Sequence, residues 1–119
     1  MIITPLDISI LLITHFIADF ICQTDRMAKG KSTSNLVLSE HVLVYMMPFI
    51  LMGFIIPISY LFLILNFIGH WCTDYVSSRI TSKLWKECKV HWFFVVIGAD
   101  QLVHALTLIW TYEYCGWYW

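Results

Sequence analysis

Two copies of one pattern carry the chemistry of this chain: His15-Phe16-Ile17-Ala18-Asp19-Phe20 and His70-Trp71-Cys72-Thr73-Asp74-Tyr75. Each reads His, aromatic, two residues, Asp, aromatic, and each lies inside a long apolar run. In a helix, His and Asp four apart share one face, a single turn from each other. A third group, Asp100-Gln101 with His104, lies in the last apolar run, and His41 follows Glu40 in the second. Imidazole nitrogens and carboxylate oxygens together form a donor set that suits zinc, manganese or iron better than calcium. Four histidines and three aspartates are enough for two ions, and paired ions are a common arrangement for phosphoester hydrolysis. Gln23 and Gln101 stand in reserve as outer partners.

The setting makes these residues costly. The chain has 119 residues, of which 60% are hydrophobic and 13% charged, whereas a soluble domain has about a quarter charged. So apolar a chain cannot cover itself with polar surface, and lipid is the expected solvent. A net charge of -1 argues against a nucleic-acid partner. Cys22, Cys72, Cys88 and Cys115 form no C-x-x-C pair, and no disulfide framework is expected.

An Asp at mid-span costs about 2.5–3.5 kcal/mol even on the lenient insertion scale. Three such residues cost roughly 8–10 kcal/mol by the same scale, less near helix ends. No Lys or Arg lies within the expected spans to neutralise them. Three answers follow: protonated carboxyls, charged histidines, or a metal cation among them. Two blander readings compete. A histidine at a helix interface commonly hydrogen-bonds a neighbour and does nothing else. A metal-free proton or ion relay would use the same residue types. The repeated motif and a third cluster at similar depth favour a functional site.

Four apolar stretches must position these groups, over about residues 6–23, 36–54, 57–78 and 91–114. The expected fold is all-α: a single polytopic domain over 1–119, with four transmembrane helices arranged as two tandem helical hairpins. Pro5 fits the first turn of the first helix. Gly53 and Pro57 divide a run too long for one span, and Pro48 is expected to kink the second helix. Counting back from each cytoplasmic end at ~1.5 Å per residue, His15 and His70 lie roughly 12 Å deep and Asp19 and Asp74 about 6 Å. The same count puts Asp100 at about 13 Å and His104 at about 20 Å. His41 is expected nearer the surface. Repeats of this kind commonly place a shared site at their interface.

All seven Lys and Arg fall in two segments, Arg26 to Lys31 and Arg79 to Lys89. Positive loops stay in the cytoplasm, so both termini are expected on the outer side of the membrane. Trp110, Tyr112, Tyr114, Trp117, Tyr118 and Trp119 would then form the outer aromatic belt, and Trp85 and Trp92 the inner one. There is no Lys or Arg before position 26 and no small-residue cleavage site, so the first segment reads as a mature helix rather than a signal peptide. The Met27–Lys31 stretch reads as a solvated loop able to meet lipid phosphates. Asp25 and Arg26 read as a surface ion pair and His91 as interfacial. Asp7, Glu87 and Glu113 read as exposed, and Cys72 as pointing away from the His70–Asp74 face.

The string His15-Phe16-x-x-Asp19-Phe20-x-x-Gln23-Thr24-Asp25-x-Met27-Ala28-x-x-Lys31, then His41, His70-x-x-x-Asp74 and Asp100-Gln101-x-x-His104, resembles the domain-of-unknown-function family DUF3307. That family comprises small bacterial and phage membrane proteins. A looser similarity runs to inner-membrane metal-dependent hydrolases. Through them it extends to the helices of zinc phospholipase C and P1-type nucleases, which use His-x-x-x-Asp metal ligands. It implies His15, Asp19, His70, Asp74, Asp100 and His104 as ligands, with His41 less secure. The expected function is a metal-binding membrane protein that hydrolyses phosphoesters or lipid head groups at the cytoplasmic leaflet. An Asp outside the ligand set would be the base. One alternative is an ion or proton relay or transporter subunit. Four helices are few for a transport path, so that version needs a homo-oligomer. Another is a phage or bacterial membrane protein that regulates a host partner.

Overall fold

The first helix begins where its cap requires. The Thr4 hydroxyl accepts from the Asp7 backbone N–H at 3.2 Å, and the Asp7 carboxylate accepts from the Thr4 backbone N–H at 2.9 Å. With Pro5 as first helical residue, this capping box starts α1 (Pro5–Phe16). Asp7 is therefore buried, not exposed as expected, because its carboxylate serves the helix end. The chain is described over residues 2–116 in a computed structural model.

Beyond Phe16 the helix widens into a π segment, Ile17–Ile21. Its closing bond runs from Cys22 N–H to Ile17 C=O at 2.9 Å. The polar stretch that follows is not a loop. Thr24 caps a short helix, α2 (Asp25–Gly30), by accepting from Met27 N–H. Ser34 likewise caps α3 (Asn35–Met52), and Pro48 lies inside α3 without ending it.

Ser59 caps α4 (Tyr60–Lys86), which starts later and ends later than the expected 57–78. The extension holds no Gly or Pro, and polarity alone does not stop a helix. A tight turn at Glu87–Lys89 then reverses the chain, with Cys88 in the left-handed region at φ 57°. Finally α5 (Val90–Cys115) returns along α4.

Among the described residues the fold is all-α, with dimensions of 46 × 26 × 20 Å. Helix α4 packs between α3 and α5, while α1 touches α3 and α5 and its π segment lies on α3. Two helices, α3 and α5, are long and apolar enough to cross a membrane. The α1 helix has 12 residues and its π continuation five, while His70 and Asp74 lower the mean hydropathy of α4.

The interior has two halves. One is apolar: Leu11, Phe49, Phe62, Leu108 and Tyr112 pack together, with Phe62 and Tyr112 ring centres 5.8 Å apart. Tyr112 thus belongs to the core and not to a surface belt. Trp85, Trp92, Trp110 and Tyr114 are exposed, as expected for belt residues. Trp117, Tyr118 and Trp119 lie outside the described residues. The other half is polar and holds the predicted site.

Candidate metal centre

The i,i+4 pairs meet from opposite sides of the interior. His15 and Asp19 come from α1 and its π segment, His70 and Asp74 from α4, His41 from α3, and Asp100, Gln101 and His104 from α5. His15, Asp19, His41, His70, Asp74 and His104 are all buried. Asp100 and Gln101 are half-buried. His41, expected near the surface, is 0% exposed and sits at the centre of the cluster. It is enclosed there because α3 packs against both the π segment and α4, which bring Asp19 and His70 against it.

One quartet is especially close. His41 Nε2 lies 3.2 Å from His70 Nε2, 3.2 Å from Asp19 Oδ1 and 3.2 Å from Asp74 Oδ2. His70 Nε2 lies 3.5 Å from Asp19 Oδ1 and 3.6 Å from Asp74 Oδ2. Four ligands about 2.0–2.2 Å from a tetrahedral ion stand about 3.3–3.6 Å from one another. Two of these five separations fall within that range and the other three, at 3.2 Å, lie just below it. Among the described residues Asp19 Oδ1 is buried and accepts no hydrogen bond, although the Nε2 atoms of His41 and His70 face it, and such an oxygen is costly to leave unpaired. A cation among the four atoms would satisfy it. Among the described residues the Nδ1 atoms of His41 and His70 make no hydrogen bond, so nothing locks their tautomers from outside.

A second set surrounds the quartet. His104 Nε2 lies 3.5 Å from Asp74 Oδ1, and its Nδ1 lies 3.3 Å from Asp100 Oδ2. His15 Nε2 lies 3.8 Å from Asp19 Oδ2 and meets Gln101 Oε1 at 2.9 Å. The Gln101 amide donates to Asp19 Oδ2 at 3.1 Å and to Asp100 Oδ2 at 3.0 Å. His15–Asp19–His104 and Asp74–Asp100–His104 each offer donor atoms within 4.8 Å of one another. Gln23, the other predicted outer partner, borders the groove described below, and its buried Oε1 accepts no hydrogen bond among the described residues.

Sequence reasoning missed three contributors. Lys31 reaches in from the end of α2 and donates to Asp74 Oδ2 at 2.7 Å. A lysine outside the apolar runs therefore does neutralise one buried carboxylate, a fourth answer beside the three inferred from sequence. Tyr45 stacks on the His70 ring at 3.7 Å, and its hydroxyl lies 3.1 Å from His15 Nδ1. Its place four residues after His41 was the available signal. Ser77 donates to Asp100 Oδ1 at 2.5 Å. Arg26 bonds Glu40 at 2.5 Å instead of Asp25. Glu87 is exposed, as expected, and pairs with Lys89 at 2.6 Å. Glu113 is half-buried instead of exposed, because its carboxylate accepts from the Ile3 N–H at 2.8 Å. Cys72 is exposed, on the opposite side from the cluster.

From the cluster a groove of about 640 Å³ leads to the surface. Asp19, Asp100 and Gln101 form its floor, Lys29, Lys31 and Lys86 its rim, and Phe20, Phe93 and Phe94 its apolar wall. The arrangement therefore joins cation-capable donors to a basic opening with an apolar side.

No curated protein and no solved structure matches this chain, so the looser likeness to metal-dependent hydrolases rests on motifs alone. A family model described as "Protein of unknown function (DUF3307)" matches residues 8–118. The match spans nearly the whole sequence and includes every residue of the cluster, and the chain belongs to the DUF3307 family.

Proposed function

We propose that this protein is a membrane-embedded metal-binding protein that hydrolyses phosphoesters or lipid head groups at the cytoplasmic leaflet. The observation that carries the reading is the buried Asp19–His41–His70–Asp74 quartet, whose ligand atoms stand 3.2–3.6 Å apart. Zinc, manganese or iron fits these nitrogen and oxygen donors. Such an ion lowers the pKa of a bound water and polarises a phosphoryl oxygen.

The chain's own residues supply the rest. Asp100 lies outside the quartet and borders the groove, which suits it to accept a proton from water. Ser77 holds one oxygen of that carboxylate. Lys29, Lys31 and Lys86 would draw an anionic head group to the rim, and Phe93 and Phe94 offer an apolar wall for an attached chain.

The bilayer reading has support of its own. Polar side chains fill part of the interior while Leu12, Ile13, Phe16, Leu61, Ile64, Ile68, Leu102 and Trp110 are exposed. That is the reverse of a water-soluble helical protein. The residues that lower the hydropathy of α4 face inward. On this reading α1 with its π segment, α3, α4 and α5 all span as two tandem hairpins in one domain. The two basic segments gather at one end, where Arg79 donates to Asn35 at 2.8 Å. The positive-inside rule puts that end in the cytoplasm.

Elemental analysis of detergent-purified wild type beside His70→Ala tests the metal reading. At least one ion per chain in the wild type, lost in the variant, is the expected result. Less than one ion in the wild type would count decisively against it. Chelator-sensitive release of phosphate or head group from mixed micelles tests the hydrolase step.

A further inference from the structure

The internal repeat makes a demand that one ion does not meet. Exchanging the halves maps His15 onto His70, Asp19 onto Asp74 and His41 onto His104. Applied to the quartet His41–His70–Asp19–Asp74, the exchange generates a second quartet: His104, His15, Asp74 and Asp19. Both aspartates belong to both sets.

The second set is looser than the first: its donor atoms come together as two triplets that share His104, His15–Asp19–His104 and Asp74–Asp100–His104, and the carboxylate oxygens divide between the two sets. Asp19 turns Oδ1 to His41 and His70, and Oδ2 toward His15. Asp74 turns Oδ2 to His41 and His70, and Oδ1 toward His104. Each carboxylate thus faces one set with each oxygen, as a carboxylate bridging two cations does. In the second set both histidines have an outer neighbour at Nδ1: Tyr45 for His15 at 3.1 Å and Asp100 for His104 at 3.3 Å. Metal-binding histidines commonly have such a neighbour. His104 is 3% exposed, and neither ring nitrogen makes a hydrogen bond among the described residues.

We infer that the chain holds a pair of divalent cations bridged by Asp19 and Asp74, the second bound by His15 and His104. The inference rests on the metal reading of the first quartet and deepens it. In two-metal sites the ions stand roughly 3.5–4 Å apart, and carboxylates shared in this way hold them there. Gln101 marks the second position. Its amide nitrogen, the positive end of a dipole, touches Asp19 Oδ2 and Asp100 Oδ2, while its oxygen meets His15. A cation entering there displaces that amide, and Gln101 borders the groove into which it can swing.

The two positions are not equivalent. Where the first half has Val37 and Leu38, one turn before His41, the second half has Asp100 and Gln101 before His104. Leu38 is buried, whereas Asp100 and Gln101 border the groove. The first ion is therefore enclosed and the second meets whatever enters. The second position is thus the one in reach of a phosphoryl oxygen.

The test is manganese loading of full-length protein, stripped with chelator in detergent, followed by metal counting and low-temperature electron paramagnetic resonance. Two ions per chain with an exchange-coupled spectrum are expected. His104→Ala should keep one ion and show an uncoupled six-line spectrum, and Gln101→Ala should keep both. One ion per chain at saturation, or two without coupling in the wild type, overturns the bridged pair and leaves the single-ion reading standing. No bound ion overturns both. If His104→Ala does not fold, the wild-type spectrum decides alone.

Discussion

The two halves of the interior follow opposite rules. Around Phe49, Phe62 and Tyr112, apolar rings pack 5.8–6.2 Å apart and satisfy one another by contact. Around His41, His70, Asp19 and Asp74, buried carboxylates and imidazoles stand 3.2–3.6 Å apart, and Lys31 reaches in to Asp74. Burying a carboxylate without a partner costs several kcal/mol, whereas burying Phe62 is favourable by about 1.5–3 kcal/mol. The aromatic half therefore supplies stability that offsets the cost of the polar half. Tyr45 joins them: its ring lies 5.0 Å from Phe49 and stacks at 3.7 Å on His70.

Substitutions can break this contrast, beginning with the largest effect. Asp74→Asn removes one of the two carboxylates that face both histidine pairs and the partner of Lys31, so bound metal and chelator-sensitive activity should both be lost entirely. Elemental analysis and an activity assay on the same preparation check this. Next in size, Phe62→Ala should lower unfolding stability by about 3–5 kcal/mol, while the folded fraction keeps its full metal content. Detergent unfolding curves and metal counts on refolded protein read the two quantities separately. Loss of metal in that variant would show that the halves are not independent.

Smaller effects sharpen the same contrast. Removing metal from wild type should lower stability by about 2.7 kcal/mol relative to protein in metal at 100 times its dissociation constant. The same treatment should leave Asp74→Asn unchanged, and melting curves with and without chelator compare the two. Tyr45→Phe keeps the aromatic packing and deletes only the hydroxyl near His15 Nδ1. It should weaken metal binding by roughly tenfold, about 1.4 kcal/mol, with little change in the metal-free melting temperature.

The all-α class and the residues of the polar half were legible because both rest on period and composition. His and Asp four apart, repeated in two apolar runs, already fixed which groups share a helix face. What the sequence concealed depended on tertiary contact or on local hydrogen bonding. His41 lacks an Asp four residues away, and only the packing of α3 against the π segment shows it at the centre. Lys31 looked solvated because α2 did not read as a helix, and its reach to Asp74 depends on where that helix ends. The extension of α4 to Lys86 was hidden by its polarity, since hydrophobic patterning marks buried faces and not helix ends. Asp7 gave a local signal, Thr4-Pro5-Leu6-Asp7, that matches a capping box with Asp in place of Glu.

The widened turn at Ile17–Ile21 has a consequence for how this protein tolerates change. A π turn holds one residue more than an α turn, so the chain from Cys22 onward leaves the first helix at a different angle from a continued α-helix. Deleting a single residue there would regularise the hydrogen bonding and improve the helix as a helix. Closing the turn as an α turn with every residue kept would instead rotate the following segment by about a quarter turn, carrying Lys31 away from Asp74 and Gln23 away from the groove. The irregularity therefore sets the direction from which Lys31 and Gln23 approach the polar cluster.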